Sequence, residues 1–238
     1  MGIDDVARTW TRLGREDPLW AVLTDRDKSG GGWGSAEFLE TGEREIEALL
    51  SRLAAAGLDP DRGRAVDFGC GAGRLSHGLA RAGFADVVGL DISPTMRAKA
   101  QEIVPDAACD FRPVSGPALE AVESGSADLV YTCRVLQHMP PDLAHGYVRE
   151  FYRIAKPGAV VAFQMPTEPE RSLAGTVLRV LPRAAAVRLR RGMEMHGTPE
   201  AAARELIGSC GAQLVAADPD GSAGPRWGSR LYLTRAAG

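Results

Sequence analysis

The stretch Val66-Asp67-Phe68-Gly69-Cys70-Gly71-Ala72-Gly73 decides the fold of this 238-residue chain. A short apolar run leads into glycines alternating with small residues. Such a run reads as a buried strand that passes through a tight turn into a helix. The glycines permit positive φ and let a ligand press against the backbone. The helix N-terminus that follows offers unpaired N–H groups and a partial positive charge. The dinucleotide fingerprint needs glycine or alanine at its sixth position, yet counting from Gly69 that position is Arg74. The spacing is instead D-x-G-x-G-x-G, with Asp67 two residues before the first glycine. A carboxylate there repels a pyrophosphate but suits an ammonium group. Asp91, which ends the next apolar run, is placed to accept hydrogen bonds from ribose hydroxyls.

Outward from this loop, short apolar runs alternate with helical stretches, the pattern of βαβ units. Strands are expected near Ala65–Phe68, Asp86–Leu90, Asp110–Pro113, Leu129–Thr132 and Ala159–Gln164. Helices are expected near Gly73–Ala82, Pro94–Ile103 and Asp142–Ile154, with Pro157-Gly158 handing the chain to the fifth strand. Thr198, Pro199 and Glu200 read as N-cap, N1 and N2 of a further helix reaching about Cys210. Two closing strands follow near Gln213–Ala217 and Ser229–Thr234. Before the alternation, residues 1–60 read as a helical cap. Val6, Trp10 and Leu13 recur at helical spacing, Ser29 to Gly34 breaks the pattern, and Phe38, Leu39, Ile46, Leu49 and Leu53 resume it. Residues 61–238 form the main domain, with a helical insert at 168–195.

Four motifs in order, DFGCGAG (67–73), VVGLDIS (87–93), ADLVYTCRVLQHMP (127–140) and FYRIAKPGAVVAF (151–163), resemble those of class I S-adenosylmethionine-dependent methyltransferases of the bacterial small-molecule type. The resemblance implies an α/β, Rossmann-like, seven-stranded and mostly parallel sheet with helices on both faces and an antiparallel strand next to one edge. It implies S-adenosylmethionine as donor and S-adenosylhomocysteine as product. By the same likeness Asp67, Gly69, Cys70, Gly71 and Gly73 line the donor pocket, Asp91 holds the ribose and Ile92 packs on the adenine. Cys133, Arg134 and Gln137 pass beneath the methionyl part, and Trp33, Phe38 and Thr41 close over it. The family's acidic or amide partner for the adenine amino group is replaced here by Ser115 or Gly116, so a hydroxyl or the backbone must serve.

Methyl transfer from a sulfonium is an in-line displacement in which the protein aligns the nucleophile and excludes water. A hydroxyl acceptor gains further from a general base. His138 is the candidate, just past the fourth strand at the edge where open α/β sheets bind ligands; its alternative role is to orient the loop. Glu194 and His196 form a second pair, read otherwise as a solvated linker. His77 and His145 read as surface or packing residues. No His/Cys/Asp grouping has metal-ligand spacing. The segment Arg171–Arg191 carries six arginines and no acid, reading as a basic amphipathic insert that lids the site or attracts an anionic acceptor.

A net charge of −3 gives no case for binding nucleic acid. No stretch is apolar enough to span a bilayer or to serve as a signal peptide. Four scattered cysteines read as reduced thiols. The expected location is the cytoplasm and the expected acceptor a small molecule, a sugar or secondary metabolite, methylated at oxygen or nitrogen. Two rivals stand beside this reading. One is an NAD(P)-dependent oxidoreductase or epimerase, for which Tyr152 and Lys156 have the Tyr-x-x-x-Lys spacing. The other is a non-catalytic partner protein that binds S-adenosylmethionine without turnover.

Overall fold

The computed structural model describes residues 2–169, 193–224 and 226–238. The basic insert read at 171–191 lies outside the described residues. The N-terminal cap consists of helix α1 (Ile3–Glu16), a short α2 (Pro18–Val22), a 3₁₀ turn (Arg26–Lys28) and α3 (Ser35–Ala55). Asp17 ties its parts together: one carboxylate oxygen accepts from the N–H groups of Gly30 and Gly31 at 2.8 and 3.0 Å, and the other from Trp20 at the start of α2.

Then come β1 (Arg64–Phe68), α4 (Arg74–Arg81), β2 (Asp86–Asp91), α5 (Pro94–Ile103), β3 (Cys109–Pro113) and β4 (Ala127–Thr132). A 3₁₀ turn (Leu136–His138) leads to α6 (Pro141–Ile154), β5 (Ala155–Pro169), α7 (Glu200–Ser209), β6 (Gln213–Pro219) and β7 (Trp227–Arg235). The sheet order is β3-β2-β1-β4-β5-β7-β6. Its first five strands are parallel, and β7 runs antiparallel between β5 and β6. This is the seven-stranded, mostly parallel sheet expected from the motifs. Its topology reverses between β1 and β4, and there the C-terminal strand ends open a crevice.

The sheet buries both faces. Val66, Phe68, Val130, Val161 and Phe163 pack with Tyr147, Val148 and Phe151 of α6 and Leu206 of α7. Ala65, Val87, Leu129 and Val160 pack on the other side with Ile46 and Leu53 of α3 and Leu75 and Leu79 of α4. Alternation along β1 therefore sends Asp67, two residues past Ala65, toward α4.

Two expected elements change most: β5 runs past its expected 159–164 at both ends, to Ala155–Pro169, and the cap of α7 shifts. β5 begins at Ala155 instead of 159, with Ala127 opposite Ala155 and Leu129 opposite Val160. Pro157 and Gly158 (φ 75°) form an irregularity inside the strand rather than a break before it. Thr198 does not cap α7, whose N-cap is Pro199. Instead Thr198 is buried, its N–H donates to the Pro166 carbonyl and its hydroxyl bonds His145 at 3.0 Å.

Candidate active site

A cavity of about 960 Å³ opens at the C-terminal ends of β1, β2 and β4, beneath the N-terminal cap. That is near the top of the roughly 300–1,000 Å³ range of small-molecule sites, with room for two ligands side by side. Its floor is the glycine loop. Gly69 has φ 75°, and a Cβ there would lie 2.3 Å from the Val135 side chain, so no larger residue fits. The N–H groups of Gly69 and Cys70 both donate to the Leu90 carbonyl, which ties the loop to β2.

Asp91, at the end of β2, lines the cavity and accepts from the N–H of Gly71 at 2.9 Å and of Ser93 at 2.7 Å. Burial pushes its carboxyl up, against the pull of those two donors. A carboxylate has about four lone-pair sites, so capacity remains for a ligand hydroxyl. Ser93 accepts from the Met96 N–H and so caps α5.

On the other side of the loop stands a charged cluster. Glu45 of α3 pairs with Arg74 of α4 at 2.7 Å, with Arg134 at 3.5 Å, and accepts from the Tyr131 hydroxyl at 3.2 Å. All but Tyr131 line the cavity. Burial drives Glu45 up, but the two guanidiniums hold its carboxyl below the usual range. Arg74 is 2% exposed, and its Nε and Nη1 have no partner. Two guanidiniums against one carboxylate leave the cluster with a positive charge. Close packing makes it possible: a Cβ on Gly42 of α3 would sit 1.9 Å from the Arg74 carbonyl oxygen, and one on Gly78 of α4 would sit 2.6 Å from that of Gly42. Glycine at both positions lets the two backbones touch, which brings Thr41 and Glu45 to the cavity wall.

Beyond β4 the chain turns through Arg134, a non-glycine residue with φ 62°. Its N–H donates to Gln164 Oε1 at 2.9 Å, and Gln164 Nε2 donates to Ser229 Oγ and Gln137 Oε1. Such backbone strain concentrates at functional sites. The same polar chain reaches His138. Its Nδ1 lies 2.8 Å from the Glu194 carbonyl, which can only accept, so Nδ1 carries the proton. Nε2 is then the acceptor, 3.1 Å from the Gln137 amide nitrogen. Trp10 of α1 meets the imidazole edge-on at 5.0 Å.

Of the residues singled out in the sequence, Gly69, Cys70, Gly71, Asp91, Ile92, Cys133, Arg134, Gln137, His138, Thr41 and Trp33 line this cavity. Five others do not. Asp67 is 1% exposed and turned toward α4, where Ser76 Oγ donates to it at 2.7 Å. Gly73 is the N-cap of α4. Phe38 is fully buried against Leu19, Leu39 and Ala72. Ser115 is exposed, and the Gly116 carbonyl is taken by the Tyr147 hydroxyl; Val114 lines the cavity in their place. Glu194 and His196 are also off the wall, but they are no solvated linker: they pair at 3.1 Å, and the His196 N–H donates to the Gln137 carbonyl. Sequence reading missed Glu45 and Arg74, whose only signal was Gly42 and Gly78 on facing helices. It also missed Trp20 and Trp227 on the wall.

His77, read as a surface or packing residue, is buried between Glu43 and Asp106. Among the described residues no group of three or more His, Cys, Asp or Glu is arranged to hold a metal ion. No helix among them is long and apolar enough to cross a membrane. Tyr152 and Lys156 do not face the cavity: the phenol bonds Thr234 and the ammonium pairs with Asp128 at the N-terminal end of β5.

The fold is shared with enzymes of one chemistry. The magnesium protoporphyrin IX methyltransferase of Synechocystis PCC 6803, crystallised with bound SAH, superposes with a TM-score of 0.68 at 22% identity, over 99% of this chain and 100% of that one. A putative sarcosine dimethylglycine methyltransferase from Galdieria sulphuraria gives 0.64 at 17% identity, over 84% and 88%. Residues 66–163 match the family described as "Methyltransferase domain". Among curated relatives, a ubiquinone biosynthesis O-methyltransferase of Methylococcus capsulatus is 36% identical over 102 residues, 42% of either chain. A trans-aconitate 2-methyltransferase of Variovorax paradoxus is 37% identical over 128 residues, 53% of this chain and 46% of its own. The chain thus matches about half the length of these relatives or less.

Proposed function

We propose that this protein transfers the methyl group of S-adenosylmethionine to an oxygen of a small-molecule acceptor in the cytoplasm. The observation that carries the reading is the pair of charges flanking the glycine loop on one cavity: the Asp91 carboxylate on one side, the partly unpartnered Arg74 guanidinium on the other. An adenosylated amino acid has hydroxyls at one end and a carboxylate at the other, and these residues fit it in that order. When bound, the donor supplies an activated methyl group on a sulfonium.

In this reading Asp91 takes the ribose hydroxyls, and Ile92 and Val114 cover the adenine. The backbone of Gly69 and Gly71 gives close approach, and Arg74 with Arg134 takes the carboxylate. Thr41 and Cys133 flank the methionyl chain. Asp67 acts from below by holding Ser76 and the start of α4. His138 receives the acceptor's proton at Nε2 once the acceptor displaces the Gln137 amide there, its tautomer fixed by the Glu194 carbonyl. An oxygen acceptor is supported by that imidazole and by curated relatives named O-methyltransferases. Four free cysteines fit a reducing compartment.

Thermal stabilisation by S-adenosylhomocysteine tests the reading. At about 100-fold over its Kd the ligand adds roughly 2.7 kcal/mol, and Asp91→Asn and Arg74→Met each diminish the gain. Stabilisation by NAD in place of S-adenosylhomocysteine refutes it.

A further inference from the structure

Every tryptophan of the chain, Trp10, Trp20, Trp33 and Trp227, lines this cavity, each only half-buried. Trp20 and Trp33 are pinned in the cap by indole N–H bonds to the carbonyls of Asp25 and Leu23. Of the other two, Trp10 touches the His138 imidazole, and Trp227 packs on the 196–197 segment, where the His196 N–H donates to the Gln137 carbonyl. Trp227 opens β7, and a Cβ on Gly197 would lie 2.9 Å from its ring. Met139, Met193 and Met195 also line the cavity, and Met193 packs with Trp10. Aromatic faces and polarizable thioethers are the surfaces that flat aromatic ligands prefer.

Polar groups at this end are few and committed. Gln137 and His138 bond each other, and the Ser222 hydroxyl accepts from the Cys133 thiol at 3.5 Å. Arg226 stands at the exposed mouth. A pyranoside would bring four or more hydroxyls to a wall with too few partners, and each buried unpaired polar group costs about 1–3 kcal/mol. A phenol brings a ring and one hydroxyl, which needs only the Gln137 amide to yield its place at His138 Nε2.

From this we infer that the acceptor is a hydroxylated aromatic ring, seated against Trp10 and Trp227 with its hydroxyl at His138. The inference rests on the methyltransferase reading above. In the step it implies, the phenol oxygen forms a bond to the methyl carbon while the carbon–sulfur bond breaks, and that electron pair stays on sulfur. The sulfonium becomes a neutral thioether, and the phenol proton passes to His138 Nε2 and on to solvent.

The test uses the full chain saturated with S-adenosylhomocysteine, titrated with 4-nitrocatechol, 2-naphthol and methyl α-D-glucopyranoside by calorimetry and tryptophan emission. The expected result is that at least one phenol quenches the emission and binds at least about tenfold more tightly than the glucoside, about 1.4 kcal/mol. Trp227→Leu and Trp10→Leu should each weaken phenol binding by about tenfold, with S-adenosylhomocysteine affinity held within about twofold; Trp→Phe at either position restores most of it. Labelled methyl incorporation from S-adenosylmethionine into the bound phenol is the confirming readout. Phenols that fail to bind below about 1 mM, or bind no better than the glucoside, overturn the acceptor class and leave the donor reading standing. Equal loss of S-adenosylhomocysteine affinity in the leucine variants also overturns it, by assigning these rings to the donor. If S-adenosylhomocysteine itself does not bind, both readings fall together.

Discussion

Asp67 offers a test of the physics beneath the glycine loop. It is 1% exposed, Oδ2 accepts one hydrogen bond from Ser76, and Oδ1 has no partner. Burial pushes its carboxyl from 3.8 up to about 7, even though Ser76 and the nearby Arg74 pull it down. The native state therefore holds a proton there between about pH 4 and 7 that the unfolded chain has released. Stability falls as pH rises through that window and levels off above about 7, where both states are ionised. At about 1.36 kcal/mol per pH unit, the distance from 3.8 to about 7 sets a ceiling of about 4 kcal/mol.

Asp67→Asn keeps the shape and cannot ionise. Urea denaturation of variant and parent from pH 4.5 to 8.5 should show a stability difference that moves in the variant's favour across the window. The amide can still accept from Ser76, and any cost of its own buried N–H groups, about 1–3 kcal/mol, is constant with pH. All other titrating groups are shared and cancel in the difference. A difference that stays flat with pH refutes the account, whatever its sign, because Asp67 would then be ionised throughout.

Three further outcomes follow from the same site. Gly42→Ala puts a Cβ 1.9 Å from the Arg74 carbonyl, so α3 and α4 must separate; we expect a loss of about 1–3 kcal/mol in denaturation and weaker S-adenosylhomocysteine binding. Arg74→Met removes one partner of a largely buried pair, with an expected cost near 3 kcal/mol; adding Glu45→Gln should recover part of it, and additive losses in the double-mutant cycle would show that the pair is uncoupled. His138→Asn should lower kcat by about 10²–10⁴ with S-adenosylhomocysteine affinity nearly intact by calorimetry; unchanged turnover removes it as the base.

The βαβ alternation was legible because each unit repeats a short apolar run, a turn and an amphipathic helix, and the sheet follows from that repetition. The direction of Asp67 was not. A strand buried on both faces carries no alternation of polarity, so its sequence does not say which side a given residue takes. The start of β5 was misplaced for a related reason: Pro157 and Gly158 carry the usual signal of a break, yet a strand absorbs them as an irregularity. Glu45 and Arg74 were invisible because the feature that joins them, two glycines on facing helices, is a tertiary one. Trp10 was read as part of a helical spacing, Trp33 as a cover for the donor, and Trp20 and Trp227 carried no signal; only the fold shows that four segments point these rings at one space.

The segment matched to a known family covers one end of the cavity better than the other. Asp91, the glycine loop and Arg134 all fall within the matched segment 66–163. Trp10, Met193, Met195 and Trp227 all fall outside it. Relatives named for acceptors as unlike as those of ubiquinone biosynthesis and trans-aconitate resemble this chain to nearly the same degree, over 102 and 128 residues. A similarity that does not separate those two acceptors carries the donor half of the chemistry alone. The acceptor has to be read from the walls this chain builds for itself, and those walls are aromatic and sulfur-rich.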